Sequence, residues 1–200
     1  MIDPYLSLKY FSSLLLCVLL VFAGCMTKQG EADKAAQELA EKEHGVTGQG
    51  PRQPGVPISA DTLSRFLSVP QGYALRAKPT MEDLELAGAH YSHVLVMYAS
   101  GEKSITCSIW DYNYIVGLTG SYTPARNADI ETDEEISHPD SVGTFPAWTH
   151  WNKKFHEGTL GVVVNERVYV ILDAKRGATM DDLKATADHM DLKAIAAIAQ

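Results

Sequence analysis

The sequence has 200 residues, of which 46% are hydrophobic, a composition that suits one globular domain with an additional segment. It carries 17 lysine and arginine residues against 25 aspartate and glutamate residues, so its formal net charge is −8. An acidic chain argues against nucleic acid and anionic lipid headgroups as partners, because both bind to basic patches.

The N-terminal segment has the pattern of an export signal. Residues 11–24 form an apolar run that follows one cation, Lys9, and ends in small residues. A membrane-spanning helix needs about 20 apolar residues, so this run is too short to span and suits a signal that is removed. Cys25 directly follows it and resembles the lipobox cysteine of bacterial lipoproteins, although Phe22 stands where leucine is usual. The alternative is that Cys25 is an ordinary small residue beside a plain secretory cleavage site.

Acylation of Cys25 would tie the protein to a lipid bilayer without a transmembrane helix. Each buried methylene contributes about 0.8 kcal/mol, and two or more chains anchor a protein firmly. Met26 stands where an aspartate would resemble the inner-membrane retention signal, so we expect an outer-membrane protein that faces the periplasm.

Glycine and proline are frequent before residue 58, which predicts a flexible tether with a reach of roughly 30 Å. The predicted organisation is a signal at 1–24, the acylated cysteine and tether at 25–57, and one globular domain at 58–200.

The first half of the domain is predicted to contain a short helix and a β-hairpin. Ser59 can cap a helix that carries Leu63 at its inner face. A strand is predicted at 72–77, and the hairpin follows, with strands at 91–99 and 103–110. The segment after this hairpin is ambiguous between helix and loop because two glycines interrupt it.

A three-stranded meander is predicted next, with strands at 147–155, 160–164 and 167–173 separated by turn residues. Alternate residues of a strand point to opposite faces of its sheet. Trp151 and Phe155 share one face of the first of these strands, and we expect them to face the core.

The C-terminal part is predicted to be helical. Thr179 followed by Asp182 matches a capping box in its acidic variant, and Asp191 can cap a last short helix. Strands that are grouped together, with helices before and after them, predict an α+β domain. We therefore expect an antiparallel sheet of hairpins with helices packed on one face.

Several short motifs are similar to those of a group of uncharacterised bacterial lipoproteins and secreted proteins. The hairpin at 98–106 (YASGEKSIT), the segment 143–148 (GTFPAW) and the start of the last helix at 191–193 (DLK) resemble the hairpin, strand and closing helix of that family, in the same order. The likeness covers about residues 58–199. No function is attached to the family, so the resemblance implies the fold and an envelope location, and it supplies no catalytic residue.

The seven histidines do not form a metal-binding pattern. His90 and His93 are three residues apart, so a strand directs them to opposite faces. His150 and His156 share a face of one predicted strand but lie about 20 Å apart on it. No CxxC or HExxH motif accompanies them, and we expect neither a metal nor a cofactor.

An acidic segment and a cysteine are the remaining candidates for site chemistry. In the acidic segment, a calcium loop would need glycine where Glu134 stands, so we interpret the alternating carboxylates as a solvated loop. Cys107 shares its strand face with Ile105 and Ile109, which predicts a buried core thiol. No nucleophile elbow or phosphate loop occurs, but a triad assembled from distant residues stays open. The carboxylates of the acidic segment are Asp129, Glu131, Asp133 and Glu135.

The candidate binding surface consists of Trp148, His150 and Asn152, which share the strand face opposite to Trp151. If helices cover only one side of the sheet, Trp148 lies on an open surface beside polar groups, which suits contact with a ligand or a protein. The alternative is that the loop 127–141 covers Trp148.

These patterns favour a lipid-anchored envelope lipoprotein with a non-catalytic binding or assembly domain, partnered by the bilayer and by an envelope protein. The alternative is a periplasmic hydrolase-like enzyme that uses His150 or the acidic segment, and a cluster of His150, Asp140 and a serine in one pocket would favour it. Metal sequestration by the histidines is a third hypothesis.

Overall fold

The computed structural model describes residues 55–200, with gaps at residue 87 and at residues 116–118. The predicted signal, the acylated Cys25 and the tether up to residue 54 lie outside the described residues.

Nine strands, four α-helices and one 3₁₀ turn are described in these ranges. In chain order they are α1 (Ala60–Ser64), β1 (Ala74–Leu75), β2 (Thr80–Leu86), β3 (Ala89–Ser100), β4 (Lys103–Asp111), the 3₁₀ turn (Gly120–Tyr122), α2 (Thr123–Asn127), β5 (Ile130–Glu131), β6 (Glu135–Val142), β7 (Phe145–Asn152), β8 (Glu157–Val164), β9 (Val168–Lys175), α3 (Met180–Asp188) and α4 (Leu192–Ile198).

All nine strands belong to one antiparallel sheet with the order β1-β3-β4-β9-β8-β7-β6-β5. Strand β2 also pairs with β3, beside β1, because the 12 residues of β3 are long enough for both partners. The β3–β4 hairpin turns at Gly101, whose positive φ of 59° is accessible to glycine without a steric cost. The last strand of the meander, β9, returns to pair with β4 and joins the two hairpin systems into one sheet.

One face of the sheet forms the main hydrophobic core. Buried side chains alternate along β3, β4, β8 and β9, and helices α1, α3 and α4 cover them. Full burial stabilises the fold by about 1.5–3 kcal/mol for each large apolar side chain. The strand residues of this core are Val94, Val96, Tyr98, Ile105, Cys107, Ile109, Val142, Ala147, Leu160, Val162, Val164, Val168, Val170, Leu172 and Ala174, and the helix residues are Leu63, Leu183, Ala187, Leu192 and Ile195.

The opposite face of the sheet, called the aromatic face below, carries a second and smaller cluster. Tyr122 of the 3₁₀ turn and Ala125 of α2 pack on it. The expectation that helices pack on one face only is therefore wrong for α2, which covers the other side. The strand and loop residues of this cluster are Tyr91, Trp110, Tyr112, Trp148, Val163, Tyr169 and Ile171.

The structure confirms the antiparallel sheet and several of its local signals. The predicted hairpin corresponds to β3 and β4, and the predicted meander corresponds to β7, β8 and β9. The hydroxyl oxygens of Ser59 and Thr179 accept hydrogen bonds at the starts of α1 and α3, and Asp182 completes the capping box of α3. Asp191 caps α4 in the same way, through the N–H of Ala194.

Other local predictions are wrong. Strand β7 ends at Asn152, so Phe155 lies in the following turn and is 65% exposed instead of facing the core. The acidic segment is not wholly a loop, because Ile130–Glu131 form β5 and Glu135 begins β6. Strand β2 was not predicted at all.

A buried ion pair fastens the first described residues to the sheet. Asp111, at the end of β4, and Arg167, before β9, form a bidentate pair with distances of 2.7 and 2.8 Å. Asp111 also accepts the N–H of Ile58 at 2.6 Å, and Arg167 donates to the carbonyl oxygen of Val56 at 2.9 Å. The chain is thus bound to this end of the sheet from Gly55 onward, where the N–H donates to the Asn113 side chain at 3.0 Å.

Within the described ranges, no helix has the length and apolar character that crossing a membrane requires.

Candidate functional site

The aromatic face holds a continuous array of rings. The ring centroids of His93 and Trp110 lie 3.6 Å apart at an interplanar angle of 13°, and Trp110 stacks on Tyr112 at 5.5 Å. Tyr122 stacks on Tyr169 at 5.0 Å and its hydroxyl lies 2.9 Å from that of Tyr112. Each such contact contributes about 0.5–1.5 kcal/mol beyond area burial, so the rings fix one another in place.

His93 is the titratable member of this array. Its side chain is only 9% exposed, and neither ring nitrogen has a hydrogen-bond partner among the residues that the structure describes. The carboxylate of Glu82 on β2 lies 3.8 Å from Nδ1. Burial lowers the pKa of His93 below its usual 6.5, against the opposing effect of Glu82. The imidazole is therefore neutral at pH 7 and stacks on Trp110 as an uncharged ring.

Trp148 belongs to the buried part of this face. It is 2% exposed, and its ring crosses β8 directly over Gly161, where an added Cβ would lie 2.1 Å from ring carbons. Tyr122 packs against the Trp148 ring, with ring centroids 5.6 Å apart at an interplanar angle of 41°. Trp148 is thus covered, as in the second of the two alternatives considered from the sequence. The residues that cover it belong to the segment 120–127 instead of the loop 127–141.

His150 and Asn152 remain partly exposed on the same face. His150 ends a polar row, defined as Thr106, Asp173, Thr159 and His150, which lie opposite one another across β4, β9, β8 and β7. Thr159 donates its hydroxyl to the Asp173 carboxylate at 2.6 Å. All four side chains of the polar row are partly exposed, so this row is an accessible polar strip on the aromatic face.

His150 was predicted from the sequence as part of the candidate surface, whereas Thr106, Asp173 and Thr159 were not. Thr106 and Thr159 occupy alternate positions between apolar residues, which is the ordinary signal of a strand's outward face. That signal identifies each residue's face but not its cross-strand neighbour. The row becomes visible only once the strand order brings β4 and β9 together.

The residues proposed for a hydrolase triad are not brought together. Asp140 lies on β6 opposite Ala147, which points into the main core, whereas His150 lies on the aromatic face. Asp140 instead pairs with Lys184 of α3 at 2.8 Å. Burial raises the pKa of Asp140, but the hydrogen bonds from Lys184 and from the Ser141 N–H outweigh it, and the net effect is a pKa below the usual value. His150 has the Glu135 carboxylate 4.0 Å from Nε2.

Cys107 is a core thiol, as its strand pattern predicted. It is buried between the two main-core isoleucines of β4, and burial raises its pKa to about 12. A thiol with that pKa is protonated at neutral pH and is a poor nucleophile. In the described ranges, no group of three His, Cys, Asp or Glu side chains is arranged to hold a metal ion.

The sequence matches no protein-family model and no curated protein.

Proposed function

We propose that the protein is a lipid-anchored lipoprotein of the bacterial envelope whose globular body is a non-catalytic binding or assembly module. Acylated Cys25 holds it on a bilayer, the outer membrane in this proposal, with the body in the periplasm. The resemblance to uncharacterised envelope lipoproteins agrees with this location.

The anchor is supported by the order of features along the sequence. A short apolar run with one preceding cation, a cysteine directly after small residues and a tether rich in glycine and proline follow one another between residues 9 and 57. A signal for export without lipidation needs no cysteine at this position. Cys25 is therefore the residue on which the location depends.

The observation that carries the binding role is the uneven cover of the sheet. Three helices pack on the main core, whereas the described cover of the aromatic face is the segment 120–127. The polar row beside this cover stays partly exposed, and the buried ring of Trp148 lies two residues before His150 on the same strand face. Amphipathic surfaces of this composition, with polar groups next to aromatic side chains, are typical of sites that bind proteins. We therefore place the binding surface at His150 and its neighbours in the polar row and at Asn152, with Trp148 as its buried support.

The enzymatic alternative has less support. The side chains that sequence reasoning offered for a triad, Asp140 and His150, lie on opposite faces of the sheet, and Cys107 is buried with a raised pKa.

The anchor is tested by replacing Cys25 with serine and following the protein by fractionation of cells. We expect the Cys25→Ser protein to lose its acyl chains, detected by labelling with a fatty-acid analogue, and to change its mobility and its fractionation. The matched control is Cys17→Ala, which removes a cysteine from the same segment and should leave both properties as in the wild type. Unchanged labelling and fractionation of Cys25→Ser would refute the anchor.

The binding surface is tested separately, by placing a photocrosslinking residue at position 150 in intact cells. A matched control carries the same residue at position 193, where Lys193 lies exposed on α4, on the other side of the sheet. We expect a protein adduct that forms from position 150 and not from position 193. Identical adducts from both positions, or none from position 150, would contradict a binding role for the polar row.

A further inference from the structure

A shallow, open depression of about 770 Å³ lies at the end of the sheet remote from the Asp111–Arg167 pair. It forms where β1 ends, where the β3–β4 hairpin turns and where the chain leaves β9. Its volume falls within the range of small-molecule sites, roughly 300–1,000 Å³. Its polar side chains are Arg76, Glu102, Lys103 and Arg176, and Ala99 with the glycines at 101 and 177 completes its lining.

Three cations from three separate segments converge on this depression. Arg76 follows β1, and its N–H donates to the carbonyl oxygen of Met97 at 2.9 Å, which holds it beside β3. Lys103 begins β4 opposite Ser100, and Arg176 directly follows the last residue of β9. The sheet itself therefore sets the backbone positions of all three, although they are far apart in the sequence.

The positive charge of this depression is only partly neutralised. Lys103 pairs with Asp182 at 3.1 Å and its side chain stays 44% exposed. The Arg76 guanidinium contacts the sulfur of Met97 at 3.9 Å. In the part of the chain that the structure describes, neither Arg76 nor Arg176 forms an ion pair with a carboxylate. Glu102 and Asp182 thus face three cations, which leaves a local excess of positive charge in a protein whose net charge is −8.

We propose that this depression binds the phosphate group of a ligand. A guanidinium presents a planar fork of donors that matches two phosphate oxygens, and an ammonium adds a further donor and point charge. A carboxylate has two oxygens and one negative charge, so one arginine satisfies it. Arg76 and Arg176 together offer two forks of donors for the three oxygens and higher charge of a phosphate, with Lys103, which is already paired with Asp182, beside them. The glycines at 101 and 177 have no side chain, which leaves room for the ligand to approach the backbone.

Net charge does not oppose this binding. Charges farther away than the Debye length, about 8 Å at physiological ionic strength, are largely screened at the surface. A phosphate in the depression therefore responds to Arg76, Lys103 and Arg176 much more than to the acidic residues elsewhere. For the same reason the affinity should fall as salt is added.

The test is calorimetry with the full-length protein in a non-ionic detergent, titrated with inorganic phosphate and, at equal ionic strength, with acetate. We expect saturable binding of phosphate and at least tenfold weaker binding of acetate. The variant Arg76→Gln/Arg176→Gln should weaken phosphate binding at least tenfold. The matched control Lys154→Gln/Lys193→Gln removes the same charge from exposed positions outside the depression and should stay within twofold of the wild type.

Three results would overturn the proposal: no saturable binding of phosphate, equal affinity for acetate, or equal weakening by the two double variants. The last result would mean that phosphate responds to overall charge alone.

A second titration distinguishes the source of the phosphate. Glycerol phosphate represents a soluble phosphate ester, and phosphatidylglycerol mixed into the micelles represents a lipid headgroup, with phosphatidylcholine as its control. Binding of glycerol phosphate that phosphatidylglycerol does not displace identifies a soluble ligand, and displacement identifies a lipid headgroup. Failure of both probes would overturn the site, while Cys25 acylation and the adduct from position 150 would be unaffected.

Discussion

Replacing Asp111 with alanine should destabilise the fold more than most single substitutions. The Asp111 carboxylate is 0% exposed and accepts four hydrogen bonds of 2.6–2.8 Å, two from Arg167 and one each from the N–H groups of Ile58 and Asn113. The hydrogen bonds to Asp111 raise the pKa of Arg167, although its burial lowers it, so the guanidinium stays charged. Asp111→Ala leaves that charge buried without its carboxylate, which costs about 3–5 kcal/mol.

The predicted loss of stability is the cost of leaving one charge buried without its partner, not the net contribution of the intact ion pair to stability. Arg167→Met should also cost several kcal/mol, because it leaves the Asp111 carboxylate buried with the two backbone N–H groups only. The double variant Asp111→Ala/Arg167→Met leaves no unpaired charge. Its loss should therefore be smaller than the sum of the two single losses.

The assay is urea denaturation of the wild type, both single variants and the double variant, with hydrogen exchange of the Ile58 amide as a local probe. We expect both a lower free energy of unfolding and faster exchange at Ile58 in Asp111→Ala. A loss below about 1 kcal/mol for Asp111→Ala, or additive losses in the double variant, would refute the reasoning.

Two further predictions concern the aromatic face. Gly161→Ala places a Cβ 2.1 Å from the ring of Trp148, so it should lower the free energy of unfolding by about 1–3 kcal/mol in urea denaturation. The control Gly120→Ala, with no atom within 4 Å of its Cβ, should stay close to the wild type. Equal effects of the two substitutions would contradict the packing described for Trp148. Because the pKa of His93 is lower in the folded state, the unfolded chain binds more protons, and stability should fall as pH is lowered through the unfolded-state pKa of about 6.5 towards the lower folded value. His93→Phe should reduce this slope in denaturation curves measured between pH 8 and pH 5, while the exposed control His90→Gln should keep it, and an unchanged slope in His93→Phe would show that other groups cause the pH dependence.

The predicted elements that the structure confirms share strong local signals. Strands β3, β4, β8 and β9 are rich in β-branched and aromatic residues, and the turns between β3 and β4 and between β8 and β9 contain glycine or asparagine. The helix starts at Thr179 and Asp191 were predictable because capping involves residues only three positions apart. In these segments, residues close together in the sequence are sufficient to predict the element.

The strands that were not predicted lack those local signals and form by pairing with neighbouring strands. Strand β2 contains Glu82, Asp83 and Glu85, which have low β-propensity, and it forms by pairing along β3 at one edge of the sheet. Strand β6 contains Pro139, which normally argues against a strand. Proline is tolerated there because β5, the described outer neighbour of β6, pairs only with residues 136 and 137.

Only part of the candidate surface could be predicted, because its exposure depends on a segment that is distant in the sequence. Strand alternation placed Trp148 and His150 together and opposite Trp151, as the structure has them. Whether that face was open depended on residues 120–127, which lie elsewhere in the sequence and reach Trp148 through tertiary packing. The depression with its three cations was not predictable. Its cations are far apart in the sequence and meet only in the folded sheet, and the net charge of the chain does not show where individual charges lie.

The positions of the first described residues and of the depression favour a soluble phosphate over a lipid headgroup. Ile58 is bound to Asp111 at the last residue of β4, whereas Lys103, in the depression, is the first residue of this nine-residue strand. At about 3.3 Å per residue the two sites lie roughly 26 Å apart along the strand. The described chain thus enters the domain at the end of β4 opposite to the depression, and a lipid headgroup could occupy the depression only if that far end of the domain contacted the bilayer. A soluble phosphate ester needs no such contact with a membrane. We therefore expect glycerol phosphate to bind and phosphatidylglycerol in micelles not to displace it, and displacement would show that the body lies against the lipid surface instead.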